Sequence, residues 1–142
     1  MAADFKISVK HNDARLAGGG SLSGFSGGTM EVWSAGTTPG NEMPTTAEEA
    51  PPAGALNLAT FTFGTPAGAL VSHVLVLTQP PDALILTSGT AYWVRFVDSE
   101  DDAWAIARCK LDGDTVTEAS VVLSQLLLYL GGSVRLVSCV LG

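Results

Sequence analysis

Short runs of β-branched and aromatic residues recur along this chain, each closed by a Gly, Pro or Asp turn signal. That pattern constrains the fold more than any other feature. Residues 90–97 (TAYWVRFV) form the clearest strand. Strand patterns also cover 29–35 (TMEVWSA), 56–63 (LNLATFTF), 70–78, 83–87, 103–110 and 133–141. In the 29–35 run, Met30, Val32 and Ser34 face one way and Glu31, Trp33 and Ala35 the other, the period of two that marks a strand. Pro80-Pro81-Asp82, Ser88-Gly89, residues 98–102, Asp112-Gly113 and Gly131-Gly132 supply the turns. The apolar run 116–130 reads as one buried strand or two. No long helical period alternates with the strands, which disfavours a parallel α/β sheet. The expected class is all-β, an antiparallel β-sandwich or jelly-roll-like fold. It occupies 29–142 as one domain, with no internal repeat.

Two segments fall outside the strand series. In residues 4–10, Phe5, Ile7 and Val9 alternate with polar residues and predict a half-buried strand. Residues 11–17 predict one or two helical turns, with Asn12 as cap and Asp13 near the positive end. Six of the eleven residues 18–28 are glycine, so 1–28 reads as a flexible amino-terminal arm and linker. No Lys-Ser or Lys-Thr follows these glycines, which argues against a phosphate-binding loop. Residues 36–54 hold four of the seven prolines and predict a long surface loop. Loops of this length are usually functional or ordered by a partner. Ala47-Glu48-Glu49-Ala50 is expected to make one helical turn within it.

Composition narrows the partners. The 142 residues are 46% hydrophobic and 15% charged. Ordinary domains carry about 25% charged residues. That argues against disorder, and part of the apolar surface is expected to be covered by further copies or by another protein. The formal net charge of −7 and the lack of a basic stripe argue against nucleic acid as a partner. The stretch 121–130 is too short to span a bilayer, so no membrane role is expected. Residues 1–9 hold no signal-peptide core, and synthesis in a cytoplasm is the expectation. Cys109 and Cys139 are expected as buried thiols, although neighbouring strands would let them pair.

The residue types of catalysis are sparse. His11 lies in a polar segment and is expected to be exposed, and His73 reads as an ordinary strand residue. No Cys/His spacing fits zinc, and no nucleophile elbow occurs. Asp98, Glu100, Asp101 and Asp102 form the best candidate ion site, but the calcium-loop pattern is absent and a solvated turn is the simpler reading. Glu31, Glu48, Glu49, Glu100 and Glu118 show no paired-acid spacing. Trp33, Trp93 and Trp104 with Tyr92 would bind sugar only if coplanar and exposed, and such residues more often fill cores and interfaces. Arg95 is expected to stack on a ring or to pair with Asp98 or Glu31. The sequence predicts no enzyme, no cofactor and no metal.

The order of segments resembles a family of tailed-bacteriophage structural proteins, small β-sandwiches encoded near the capsid genes. The likeness lies in Met30-Glu31-Val32-Trp33-Ser34-Ala35-Gly36 followed by Thr37-Thr38-Pro39, in residues 54–63, in residues 89–99, and in Gly132-Ser133-Val134-Arg135-Leu136. Members carry a YSG-x-x-P strand end, an LLATLTF strand and an xxRxVDSDG hairpin. Here Trp33 replaces the tyrosine, Glu100-Asp101-Asp102 replaces Asp-Gly, and 67–86 is unusually apolar. The resemblance implies a virion protein on the capsid surface, made in the host cytoplasm. It implies a capsid decoration (cement) role, with the major capsid protein as partner and a homo-oligomer, a trimer by analogy. Tail or head–tail connector roles and a carbohydrate-binding module are the alternatives.

Overall fold

The computed structural model is all-β with two short helices. It describes residues 5–17, 22–71, 74–111 and 121–141. The strands are β1 (Lys6–Ile7), β2 (Thr29–Ser34), β3 (Asn57–Thr62), β4 (Gly68–Val71), β5 (Val74–Leu77), β6 (Ala83–Leu84), β7 (Gly89–Val97), β8 (Ala103–Leu111), β9 (Val121–Leu123), β10 (Leu127–Leu128), β11 (Ser133–Val134) and β12 (Leu136–Leu141). The helices are α1 (Val9–Leu16) and α2 (Leu22–Phe25). The main sheet runs β3-β2-β7-β8-β9-β12-β5-β4, with β1 added to β8 and β10 to β7. β6 and β11 form a separate two-stranded sheet.

β8 is the pivot. Its first part pairs with β7 from Val97↔Ala103 to Trp93↔Arg108, and with β1 at Ile106 and Ala105. Its last three residues pair with β9, from Cys109↔Val121 to Leu111↔Leu123. The sheet therefore curls around one core. Met30, Val32, Leu58, Phe61, Val94 and Phe96 enter it from one side, and Leu75, Leu77, Val121, Leu123, Leu136 and Cys139 from the other. The class matches the sequence reading, but the sandwich expectation takes the form of a single curled, mixed sheet.

The β8–β9 pair is parallel, whereas an Asp-Gly hairpin between them predicts an antiparallel pair. The turn residues 112–114 lie outside the described residues. A local turn signal reports chain reversal, not which strand becomes the neighbour. The ambiguous run resolves, over its described part, into β9 and β10, which join different neighbours, β8 with β12 and β7.

Alternation holds in β2. Met30 and Val32 of β2 are fully buried, while Trp33 lies over the opposite face with Trp93 of β7. That outer face is covered by the 36–54 loop. Ala47 packs on Trp93 and Ile106, with Met43, Trp33 and Tyr92 around them. The loop is closed by Gly36 N to Glu42 O (2.9 Å) and Thr37 N to Ala53 O (3.0 Å). It is tied down by Lys6 Nζ to Thr45 O (3.1 Å), by the Arg95 guanidinium on Glu49 O, and by the Val9 amide on the Glu48 carboxylate. Residues 47–50 form a turn and no helix.

The amino-terminal segment forms the expected short strand and helix within 5–17, β1 and α1. It docks on the sheet and is not a free arm. β1 ends at Ile7, and Ser8 caps α1 by accepting from His11 N (3.0 Å). Asn12 is inside the helix, with its amide bonded to Ser8 O (3.0 Å). Ser8 wins as cap because its extended backbone already faces the sheet, its own N–H donating to Trp104 O (3.0 Å).

Phe96 is buried edge-on to Phe25 (5.0 Å, 87°) and stacks near Phe63 (6.2 Å). Phe96→Ala is expected to lower the unfolding free energy by about 3–5 kcal/mol. Urea denaturation measures it, and a loss under about 1 kcal/mol would contradict a single core closed by the curl.

Candidate functional site

The β7–β8 turn is built on Asp98, whose side chain is 5% exposed. Its Oδ1 accepts from the amides of Glu100 and Asp102 (both 3.0 Å). Asp98 N donates to Asp102 O (2.9 Å), and Asp101 takes a left-handed φ of 69° to close the turn. Lys10 of α1 reaches across to it. Its Nζ lies 2.7 Å from Asp98 Oδ2, 2.9 Å from Asp102 Oδ2 and 3.2 Å from Glu100 Oε1. An ammonium has three donors, and each finds a carboxylate. The acidic turn thus takes its cation from the chain itself. The Asp98 hydrogen bond, then that of Asp102, raises the Lys10 pKa well above the ordinary lysine range. Burial pushes the Asp98 carboxyl up, but Lys10 and the two amides outweigh it and hold it below the usual carboxylate range.

His11 is 1% exposed, which corrects the exposed reading. Its ring stacks on Trp104 (4.4 Å, 9°) and meets Phe25 edge-on (5.7 Å, 90°). Its Nδ1 is 3.0 Å from Trp104 O, so the Nδ1–H tautomer fits, an assignment from geometry. Burial lowers its pKa, the Trp104 carbonyl opposes this, and the Arg15 charge adds to it. Gly24 permits the packing, since a Cβ there would sit 1.8 Å from the Trp104 ring. His11 joins α1 to β8.

The remaining aromatics are occupied by one another. Trp33, half-buried, stacks on the buried Trp93 (5.5 Å, 16°). Trp93 Nε1 donates to Ser34 O (3.0 Å), and Trp33 Nε1 to Glu31 Oε1 (3.2 Å). Arg95 lies over Trp93 (5.4 Å), as its stacking alternative predicts, beside its register partner Glu31. Arg108 covers Tyr92 (3.8 Å). Trp93 and Trp104 are buried, so the exposed coplanar rings of a sugar platform are not formed by this set. Glu48 and Glu49 are spent on the loop, Glu49 accepting from Thr45 N (3.2 Å). His73 and Glu118 lie outside the described residues.

Cys109 and Cys139 are buried thiols on either side of Val121, with which both are in register. Two strand spacings, roughly 9–10 Å, separate them, beyond the about 7 Å limit for a disulfide. Burial pushes the Cys139 pKa up to about 12.

One feature of the surface was missed by residue-by-residue reading. Leu84 (60%), Leu86 (60%), Leu127 (54%), Tyr129 (64%) and Leu130 (68%) are all exposed. They lie on two segments bonded to each other and to the start of β7. Gly131 N donates to Ile85 O (3.0 Å), Ile85 N to Gly132 O (2.9 Å) and Leu130 N to Ser88 Oγ (2.8 Å). Leu127 and Leu128 pair with Thr90 and Gly89. The signal was present as an absence of charge, since 83–94 and 121–134 contain no Asp, Glu, Lys or Arg. β7 has nine residues and ends at the acidic turn. At about 3.3 Å per residue, the apolar end and that turn are roughly 25–30 Å apart.

No known protein family, curated protein or solved structure matches this chain.

Acid is expected to weaken the fold in two stages. His11 has a folded pKa below its unfolded value, so its contribution is complete above about pH 6.5 and is lost as pH falls from there through the folded pKa. Asp98 follows the same sign at lower pH, its contribution lost as pH falls below about 3.9. Urea midpoints against pH test both. His11→Phe should flatten the upper stage and Asp98→Asn the lower, and an unchanged profile in either variant would remove that group as the cause.

Proposed function

We propose that this chain is a structural protein of a tailed-bacteriophage particle, a capsid decoration protein that cements the head by binding the lattice of the major capsid protein. The observation that carries the protein-binding part is the charge-free apolar end. Large exposed apolar patches are costly to leave in water and mark contact surfaces. Interface cores are likewise depleted of charge and enriched in aromatic residues such as Tyr129. The phage assignment comes from the sequence resemblance, whose segments become β2, β3, β7 and the β11–β12 region of the fold.

The apolar end is favoured over the 36–54 loop and the amino-terminal segment as the docking surface. The loop and residues 5–17 are already held by the chain's own sheet. The rigid curled sheet instead presents the apolar end as a preformed surface, which avoids the ordering cost of a flexible segment. Binding the assembled lattice and not the isolated subunit stabilises the lattice by mass action.

Heads made without this chain are expected to rupture at lower temperature than heads saturated with it, and adding purified protein should restore the difference. Light scattering during a thermal ramp reads it. Protein that co-sediments with tails but not with heads would move the assignment to the tail, and binding to neither would reject the phage reading.

A further inference from the structure

We propose that the amino-terminal segment 5–17 is a releasable strap, which leaves the sheet in mild acid when His11 takes up a proton and so uncovers Trp104 and the edge of β8. The inference is independent of the phage reading and concerns another part of the molecule.

Few apolar contacts hold the strap. β1 pairs with β8 over two residues only, Lys6↔Ile106 and Ile7↔Ala105. Phe5, Ile7 and Ala14 are half-buried at the margin of the core. In α1 the one buried residue is His11, while Val9 (68%) and Leu16 (80%) are exposed. The other ties are polar. Ser8 N donates to Trp104 O, the Val9 amide to the Glu48 carboxylate, and Lys6 Nζ to Thr45 O, and Lys10 sits among the three carboxylates of the β7–β8 turn. A helix of eight residues is not stable alone in water, so α1 lasts only while it is docked. β8 is anchored elsewhere as well. It keeps β7 on its other edge and β9 from Cys109 onward. When the strap leaves, water can pair the backbone at Ala105 and Ile106, and the curled sheet stays closed.

His11 is the group whose protonation breaks this hold. Its ring is stacked on Trp104 and edge-on to Phe25. A second ring proton would place a full charge inside that packing. The π face and the carbonyl of Trp104 both favour such a charge. Loss of hydration outweighs them, and the docked pKa lies below the ordinary histidine value. The charged groups nearby do not reverse this. On α1 they are Lys10, Asp13 and Arg15, and the Arg15 charge opposes protonation. β8 and α2 meet the ring with Trp104 and Phe25, which carry no charge. The carboxylates of the turn are bonded to Lys10, and that of Glu48 to the Val9 amide. Off the sheet, the ring titrates at about 6.5. Docking is therefore fully supported above that pH and weakens as pH falls from there through the docked pKa.

Hydrogen–deuterium exchange on the full chain, corrected for the intrinsic pH dependence of exchange, tests this. Between about pH 7.5 and about pH 5, protection of the amides of 5–17 should fall about tenfold, while β2, β7 and β12 keep theirs. His11→Gln and His11→Phe carry no titrating ring and should hold the strap's protection level over that range. If both variants fold poorly, the wild-type profile decides, because His11 places the fall below about pH 6.5 and the carboxylates would place it near about pH 4. Strap protection that does not change, that falls together with β2, β7 and β12, or that falls only near about pH 4 would overturn the proposal. A fall of the wild-type size that survives in both variants would overturn it too.

Discussion

The divided pairing of β8 is the constraint on which the structure depends. A strand has two hydrogen-bonding edges, and buried backbone groups must be paired along both. β8 gives one edge to β7 along its first part and the other to β1 and then to β9. Because it leaves β7 after Arg108 and continues beside β9, the sheet must bend there. That bend brings Leu75, Leu123 and Leu136 opposite Val32, Leu58 and Phe96. A flat sheet with these residues would leave one apolar face in water. The curl buries it, and sheet twist favours such coiling.

The amino-terminal segment completes the same strand. Trp104 O, at the start of β8, accepts from Ser8 N and lies against His11 Nδ1, so one carbonyl orients both the cap and the first turn of α1. Lys10 then reaches the turn that joins β7 to β8. The two exposed carboxylates around Lys10 add little by themselves, because exposed ion pairs are screened by water. Asp98 differs in being buried and already bonded to two amides. His11 with Trp104, and the acidic turn with Lys10, thus help to hold the amino-terminal segment to the sheet.

Along β7 the molecule changes from an apolar, charge-free end to an acidic turn neutralised in part by its own lysine. Such polarity suits a component whose one end is covered in an assembly while the other remains wet. It also accounts for the low charged fraction of 15% without invoking disorder. Part of that apolar excess, Leu84, Leu86, Leu127, Tyr129 and Leu130, lies at one end, while Leu16, Leu56, Val71 and Val140 are exposed elsewhere.

By itself the sequence determined the strand content, the inward and outward sides of β2, and the irregular 36–54 segment. These follow from short-range physics, namely side-chain alternation and the removal of backbone donors by proline. It also held several charge-free stretches, 50–81, 83–94 and 121–134 among them, though not the fact that the last two meet. Only the tertiary structure decided that β8 and β9 run parallel, that His11 is buried under Trp104, and that the cation of the acidic turn is Lys10, 92 residues before Asp102. His11 misled because its neighbours in the chain are polar, while its neighbours in space are Trp104 and Phe25. Burial and pairing are set by which segments the curl brings together. A residue's chain neighbours carry no record of that choice.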